Sequence, residues 1–270
     1  MSLPAQIMGI VNVTPDSFSD GGRYDSADLA IEHGLKLVSD GADWLDIGGE
    51  STRPGAIPVS ADEEIARVLP VIKGLRANTD VLISIDTMKP EVAIAAIQAG
   101  ADMWNDVTGG TFAEDSFEVA GQLGCKLCLM HMQGKPRTMQ QAPVYNDVVL
   151  EVKTELGRRA QLAIEEGVKP SNIWIDPGIG FGKRLEHNLA LIRDLNQFSL
   201  GQDFPILFGA SRKSFIREID PRAELATDRL GGSIAAAVAA AQHGAKILRV
   251  HDVRETRQAL LVDTAINAPE

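Results

Sequence analysis

Eight short apolar runs, most of them followed by a stretch of helical periodicity, constrain this chain more than any other feature. Ile7–Val11, Trp44–Ile47, Val81–Ile85, Met103–Trp104, Lys126–Met130, Asn172–Asp176, Ile206–Phe208 and Ile247–His251 read as strands, each apolar on both faces as buried parallel strands are. Between them, Ala27–Ser39 and Asp62–Leu75 read as amphipathic helices, the second with Ile65, Val68, Leu69 and Ile72 three or four residues apart. Pro90 opens another helix in the first-turn position that proline favours. Asn146–Glu166 and the alanine-rich Ser233–His243 add two more. Gly41, Gly100, Gly124, Gly167 and Gly244 each stand between a helix and the next strand, where a left-handed residue closes the helix. The alternation predicts a (β/α)8 TIM barrel. An open doubly wound sheet is the alternative, weakened because no G-x-G-x-x-G follows the first strand.

Neither a composition shift nor a Pro/Ser-rich linker divides the 270 residues, so a single domain spanning 1–270 is expected. The formal net charge of −11 argues against nonspecific nucleic-acid binding, which depends on phosphate contacts. An anionic ligand must therefore be met by a local cluster of bases, for which Arg53, Arg212, Lys213, Arg249 and His251 are the candidates. No apolar run of about 18 residues and no signal-like N-terminus is present, and cytoplasmic residence is the default expectation. Cys125 and Cys128 are expected to be thiols on opposite faces of a strand, with no second cysteine pair to build a zinc site.

In a parallel barrel the carboxyl ends of all strands meet at one mouth, where the active site sits. The strand ends predicted here carry Asn12, Asp86, Asn105, Asp176, Lys213, Arg249 and His251. Singly, each has a structural reading: Asp86 as a helix cap, Asn105 on a loop backbone, Lys213 in solvent, Arg249 paired with a nearby acid. As a set they are costly to bury without a ligand. Two carboxylates and an amide suit a flat heterocycle with several N–H donors. The bases suit a phosphate group, with Asn12 and nearby acids available to a hard cation such as Mg2+. Neither a Ser/His/Asp order nor metal-ligand spacing is recognisable, which argues against a covalent serine mechanism or a zinc hydrolase.

The stretches Met8–Gly22, Gly49–Gly55, Ser84–Thr87, Asn105–Val107, Asp176–Lys183, Ser211–Ser214 and Arg249–Val253 resemble, in order, the motif series of bacterial dihydropteroate synthase. The resemblance implies condensation of 6-hydroxymethyl-7,8-dihydropterin diphosphate with p-aminobenzoate in folate synthesis, through SN1-like loss of diphosphate and amine attack. It also implies Mg2+ as cofactor, a homodimer, and sulfonamides as competitors for the aminobenzoate site. By position it assigns the pterin ring to Asp86, Asn105, Asp176 and Lys213, and the metal to Asn12. Thr52, Arg53, Arg249 and His251 match residues around the diphosphate, and Phe18, Pro54, Phe181 and Ser214 the aminobenzoate pocket. Lys213, Arg249 and Asp86 are the residues expected to carry catalysis. The Gly180-Phe181-Gly182 loop lacks the extra residue of plasmid-borne resistant relatives, which points to a sulfonamide-sensitive form.

Two other readings share the pterin-binding barrel. A corrinoid-dependent methyltetrahydrofolate methyltransferase has no use for the diphosphate cluster, and a non-catalytic pterin-binding paralogue would not release diphosphate. The composition of Thr14–Gly22 and Glu50–Gly55 implies loops that a ligand must order, so aminobenzoate is expected to bind after the pterin diphosphate.

Overall fold

The computed structural model describes residues 3–13, 23–51, 57–134, 139, 142–199 and 204–268. Eight parallel strands close into a barrel in sequence order: β1 Gln6–Asn12, β2 Trp44–Gly48, β3 Leu82–Asp86, β4 Met103–Asp106, β5 Lys126–Met130, β6 Ile173–Asp176, β7 Ile206–Phe208 and β8 Ala245–Val250. Pairing of β1 with β8, through Gln6 against Ile247 and Met8 against Arg249, seals the ring and excludes the open sheet. The helices are α1 Arg23–Ser39, α2 Ala61–Arg76, α3 Pro90–Gln98, α4 Ser116–Leu123, α5 Val148–Glu165, α6 Leu185–Arg193, α7 Phe215–Ile219, α8 Leu230–Gln242 and α9 Val253–Ile266. The five glycines expected to close helices all adopt positive φ, between 62° at Gly124 and 109° at Gly100. There the missing side chain removes the steric cost of the left-handed conformation.

Most element boundaries fall within a residue or two of those expected from periodicity. Strand β4 runs on for two residues through Asn105 and Asp106, both polar, after a short apolar run. Both are satisfied where they lie. Asp106 accepts from the Thr108 backbone N–H at 2.8 Å, the Thr108 hydroxyl at 2.7 Å and the Gly110 N–H at 2.7 Å. The alanine-rich helix begins at Leu230, three residues before Ser233, because a glycine pair is tolerated in its first turn. A Cβ on Gly232 would come within 2.5 Å of Ile216, so glycine there lets α8 approach α7.

Two apolar cores result from the two-residue period of the strands. Outward-facing residues such as Leu45, Ile83 and Leu129 pack under the helices. Inward-facing Met8, Trp44, Met103, Cys128, Leu207 and Ile247 fill the lower barrel, with Leu82 and Trp174 packed against them. Cys128 is fully buried in that plug, while Cys125 precedes β5 and is half-buried; both are free thiols, and burial raises both above the ordinary range. Among the described residues no helix is long and apolar enough to cross a membrane.

Candidate active site

The strand parity that fills the lower barrel with apolar side chains brings polar ones into its mouth. Along β3, Leu82, Ser84 and Asp86 share a face, and the register sets Asp86 beside Gly48 on one side and Asn105 on the other. Asn12 stands level with Gly48 across β1. A Cβ placed on Gly48 would lie 3.7 Å from the Asp86 carboxylate and 3.9 Å from the Asn12 amide oxygen, so this glycine keeps the space between them open. Gly209, just past β7, does the same between Arg249 and the Asp176 carboxylate. Two side-chain-free positions thus lie among the acids and bases of the mouth.

Arg249 lies at the centre of the charge pattern. Its Nε donates to Asp46 at 2.5 Å and its Nη2 to Asp86 at 2.6 Å. Asn105 donates a long bond to the same Asp46 oxygen at 3.4 Å. The second carboxylate oxygens of Asp46 and Asp86 are buried without a hydrogen-bond partner among the described residues. Such orphaned acceptors are expensive unless a ligand supplies donors. Burial pushes Asp86 up to about 7 against the pull of Arg249, with Asp46 adding to the rise. Despite the cost of burial, Asp46 and Asp86 hold the guanidinium above its ordinary value.

Asp176 ends β6 and is buried. One of its oxygens accepts the Gly178 N–H at 2.7 Å, and burial raises it above the usual carboxylate range while Lys213 opposes the shift. Lys213 donates to the Ile179 carbonyl, its ammonium 4.4 Å from the centroid of the Phe181 ring. Burial lowers its pKa to about 8, so it is mainly cationic at neutral pH. His251 follows β8 by one residue, its Nδ1 3.0 Å from the Ser211 hydroxyl, and Ser214 is exposed at the start of α7.

Asp86, Asn105, Asp176, Lys213 and Arg249 therefore converge, with Asn12, Phe181 and His251 around them. Arg212, one of the bases considered for an anion, is turned away: its guanidinium pairs with Asp252 at 2.5 and 3.0 Å. Phe18, Thr52, Arg53 and Pro54 lie outside the described residues. Asp46 is the member that the sequence reading missed. Its signal was parity, since it follows Trp44 by two residues on a strand whose next inward position is Gly48. Lys89 was also missed; it ties the base of the β2 loop to α2 by pairing with Glu50 and, at 2.6 Å, with Glu64. A recess of about 570 Å³ lined by Gln6, Asp43, Trp174, Lys246 and Arg257 opens at the other end of the barrel and contains none of these mouth residues.

A closed (β/α)8 barrel whose mouth sets acids, an amide and bases around two glycine-lined gaps defines a small-molecule enzyme site. Residues 8–251 match the family of pterin binding enzymes. The chain is 44% identical to the dihydropteroate synthase of Escherichia coli K12 over 98% of its own length and 93% of that protein's. It also superposes on Xanthomonas albilineans dihydropteroate synthase with 4-aminobenzoic acid, with TM-score 0.91, 47% identity and coverage of 98% and 94% of the two chains. A Yersinia pestis dihydropteroate synthase in a sulfonamide drug complex gives TM-score 0.92 at 41% identity, with 98% and 95% covered. The chain belongs to the pterin-binding enzyme family and, within it, to the dihydropteroate synthases.

Proposed function

We propose that the mouth of this barrel condenses 6-hydroxymethyl-7,8-dihydropterin diphosphate with p-aminobenzoate, releasing diphosphate and 7,8-dihydropteroate. The observation that carries this reading is the buried, unpartnered oxygen of Asp86 beside Asn105, in the same mouth as Asp176 and as Lys213, whose charge interacts with both carboxylates. A pterin presents N–H donors along one edge and acceptors along another. Asp86 and Asp176 would take the donors and Lys213 would donate to an acceptor, each bond charge-assisted and therefore stronger than a neutral one.

The chemistry needs mostly charge and position. Loss of diphosphate leaves positive charge on the exocyclic methylene, delocalised into the electron-rich ring, and two carboxylates around that ring stabilise it. Arg249 and His251 are the described bases available to the departing diphosphate, with Thr52 and Arg53 assigned there by family position. The weakly basic aromatic amine then attacks the methylene carbon, and orientation supplies most of the remaining acceleration. Phe181 and Ser214, with Phe18 and Pro54, are the residues proposed for the aminobenzoate ring. No side chain has to form a covalent bond.

Mg2+ fits the donor set in one way. Among the described residues no group of three His, Cys, Asp or Glu side chains could hold a metal, whereas Asn12 offers one amide oxygen at a strand end. A single protein oxygen suits a magnesium ion that keeps several waters and takes its other ligands from substrate phosphates. Bound there, the ion would neutralise diphosphate charge as it leaves. Sulfonamides as competitors, a homodimer and cytoplasmic residence belong to the same proposal, by family.

The deciding experiment follows diphosphate release by purified protein with and without p-aminobenzoate. Release that requires the amine, with dihydropteroate formed in equal amount, is the expected result. Pterin binding without release would favour a non-catalytic relative, and methyl transfer from methyltetrahydrofolate would favour the corrinoid-dependent class.

A further inference from the structure

Lys183 lies outside every role assigned above, yet it is 3% exposed and its ammonium sits against the wall of the site. The side chain points back into the loop it ends. Its Nζ lies 3.0 Å from His131 Nδ1 and donates to the Phe181 carbonyl at 3.0 Å and to the His131 carbonyl at 3.3 Å. Those partners are neutral: burial, with Lys183 adding to the effect, lowers His131 to about 3. Burial also lowers Lys183 to about 7, with Asp176 as the charge favouring the ammonium. Held against neutral acceptors, the group is only about half charged at neutral pH, as the cost of burying a cation dictates. What it obtains in return is geometric.

The segment from Pro177 to Gly182 is held elsewhere by the Gly178 N–H on Asp176 at 2.7 Å, the Gly180 N–H on the Asn188 side chain at 2.8 Å and the buried Ile179 side chain; Lys183 adds the tie between the Phe181 carbonyl and His131. Gly178, Gly180 and Gly182 have φ of 69°, 80° and 61°, and their lack of side chains lets the backbone lie directly on the turn after β5. A Cβ on Gly178 would be 1.9 Å from the His131 carbonyl oxygen, and one on Gly182 would be 2.4 Å from that of Gln133. The His131 N–H in turn donates to the Asp176 carbonyl at 2.9 Å, and the Tyr145 hydroxyl donates to that of Gly182 at 2.9 Å. The loop presents two groups to the site: the Ile179 carbonyl, which accepts from Lys213, and the Phe181 ring beneath the same ammonium.

We infer that Lys183 is a positioning residue for the synthase reaction: by clamping the Phe181 carbonyl to His131, it fixes the 177–182 loop and, through it, Lys213 and the Phe181 ring. The inference rests on the function proposed above and adds a residue that does not touch substrate. Its effect belongs to binding, because the loop sets where Lys213 and Phe181 meet the two ligands before any bond changes.

The test compares wild type with Lys183→Met, Lys183→Gln and Phe181→Ala, using 6-hydroxymethylpterin calorimetry, steady-state kinetics and thermal melts. Lys183→Met is expected to weaken 6-hydroxymethylpterin by about tenfold and to raise the KM for aminobenzoate by a similar factor, with kcat at saturation within about threefold. Phe181→Ala should raise the aminobenzoate KM alone. Lys183→Gln, which restores an N–H donor of shorter reach, should recover part of both losses. A folded Lys183→Met with a lowered Tm but both constants within about twofold of wild type would reduce Lys183 to a packing role and overturn the inference. If Lys183→Met does not fold, His131→Asn decides in its place: the same paired loss supports the clamp, and unchanged constants overturn it. Wild type that binds 6-hydroxymethylpterin but makes no dihydropteroate would sink the functional reading, while the calorimetric arm still decides the clamp. Wild type that does not bind the pterin overturns both.

Discussion

Arg249 and Asp46, 203 residues apart in the chain, meet at 2.5 Å on the floor of the barrel mouth. Asp46 is fully buried, so the guanidinium that also holds Asp86 is itself fixed from below. Removing Asp46 leaves Arg249 with one of its two carboxylate partners and opens a polar void. Asp46→Ala should cost about 3 kcal/mol of stability, toward the lower end for a broken buried pair because Asp86 remains. Urea unfolding measures it, and a change below about 0.5 kcal/mol would show that the pair anchors nothing. Pterin affinity should fall alongside, since Asp86 would lose the orientation Arg249 gives it.

Asp176→Ala should weaken a pterin analogue by about 1.5 to 3 kcal/mol, the usual worth of a charge-assisted hydrogen bond. Calorimetry on the purified variant is the check. Affinity within about twofold of wild type would remove Asp176 from the ring-binding set.

Acid sensitivity should trace in part to His131. Folded, it takes up a proton only near pH 3, because burial disfavours the cation, whereas the unfolded chain binds that proton near 6.5. Between those values the unfolded state holds more protons, so the stability present above pH 6.5 is lost as pH falls. Each unit of that fall costs about 1.4 kcal/mol from this one group. Melting wild type and His131→Asn from pH 7 to pH 5 should show the steeper loss in wild type. Parallel curves would mean that other groups dominate.

Chelation by EDTA should abolish turnover, and Mg2+ should restore it. Asn12→Ala should raise the Mg2+ concentration needed for half-maximal rate, because the proposed protein ligand is lost. Undiminished activity in chelator would exclude the metal role.

The clearest correspondence between sequence and structure is at β6. Four residues, Ile173–Asp176, form a strand that delivers its carboxylate to the mouth, and the proline and glycines after it form the loop their composition implies. The alternation of short apolar strands with amphipathic helices, the glycines that close the helices and the polar strand ends were all legible, because backbone preference and hydrophobic periodicity act over a few residues. The motifs also suffice to place the chain in its family. Tertiary structure alone decided which polar residues face one another. Arg212 reads in sequence as an anion-binding base like Arg249, but its guanidinium pairs with Asp252 while that of Arg249 turns inward to Asp46 and Asp86. Asp46 looks like an interruption in an apolar run until closure of the barrel brings β8 beside β1 and sets an arginine against it. Lys183 looks like a surface base at the end of a glycine loop until the β5 turn folds over it. In all three the outcome depends on charge and burial contributed by segments far away in the chain, and no local pattern encodes that.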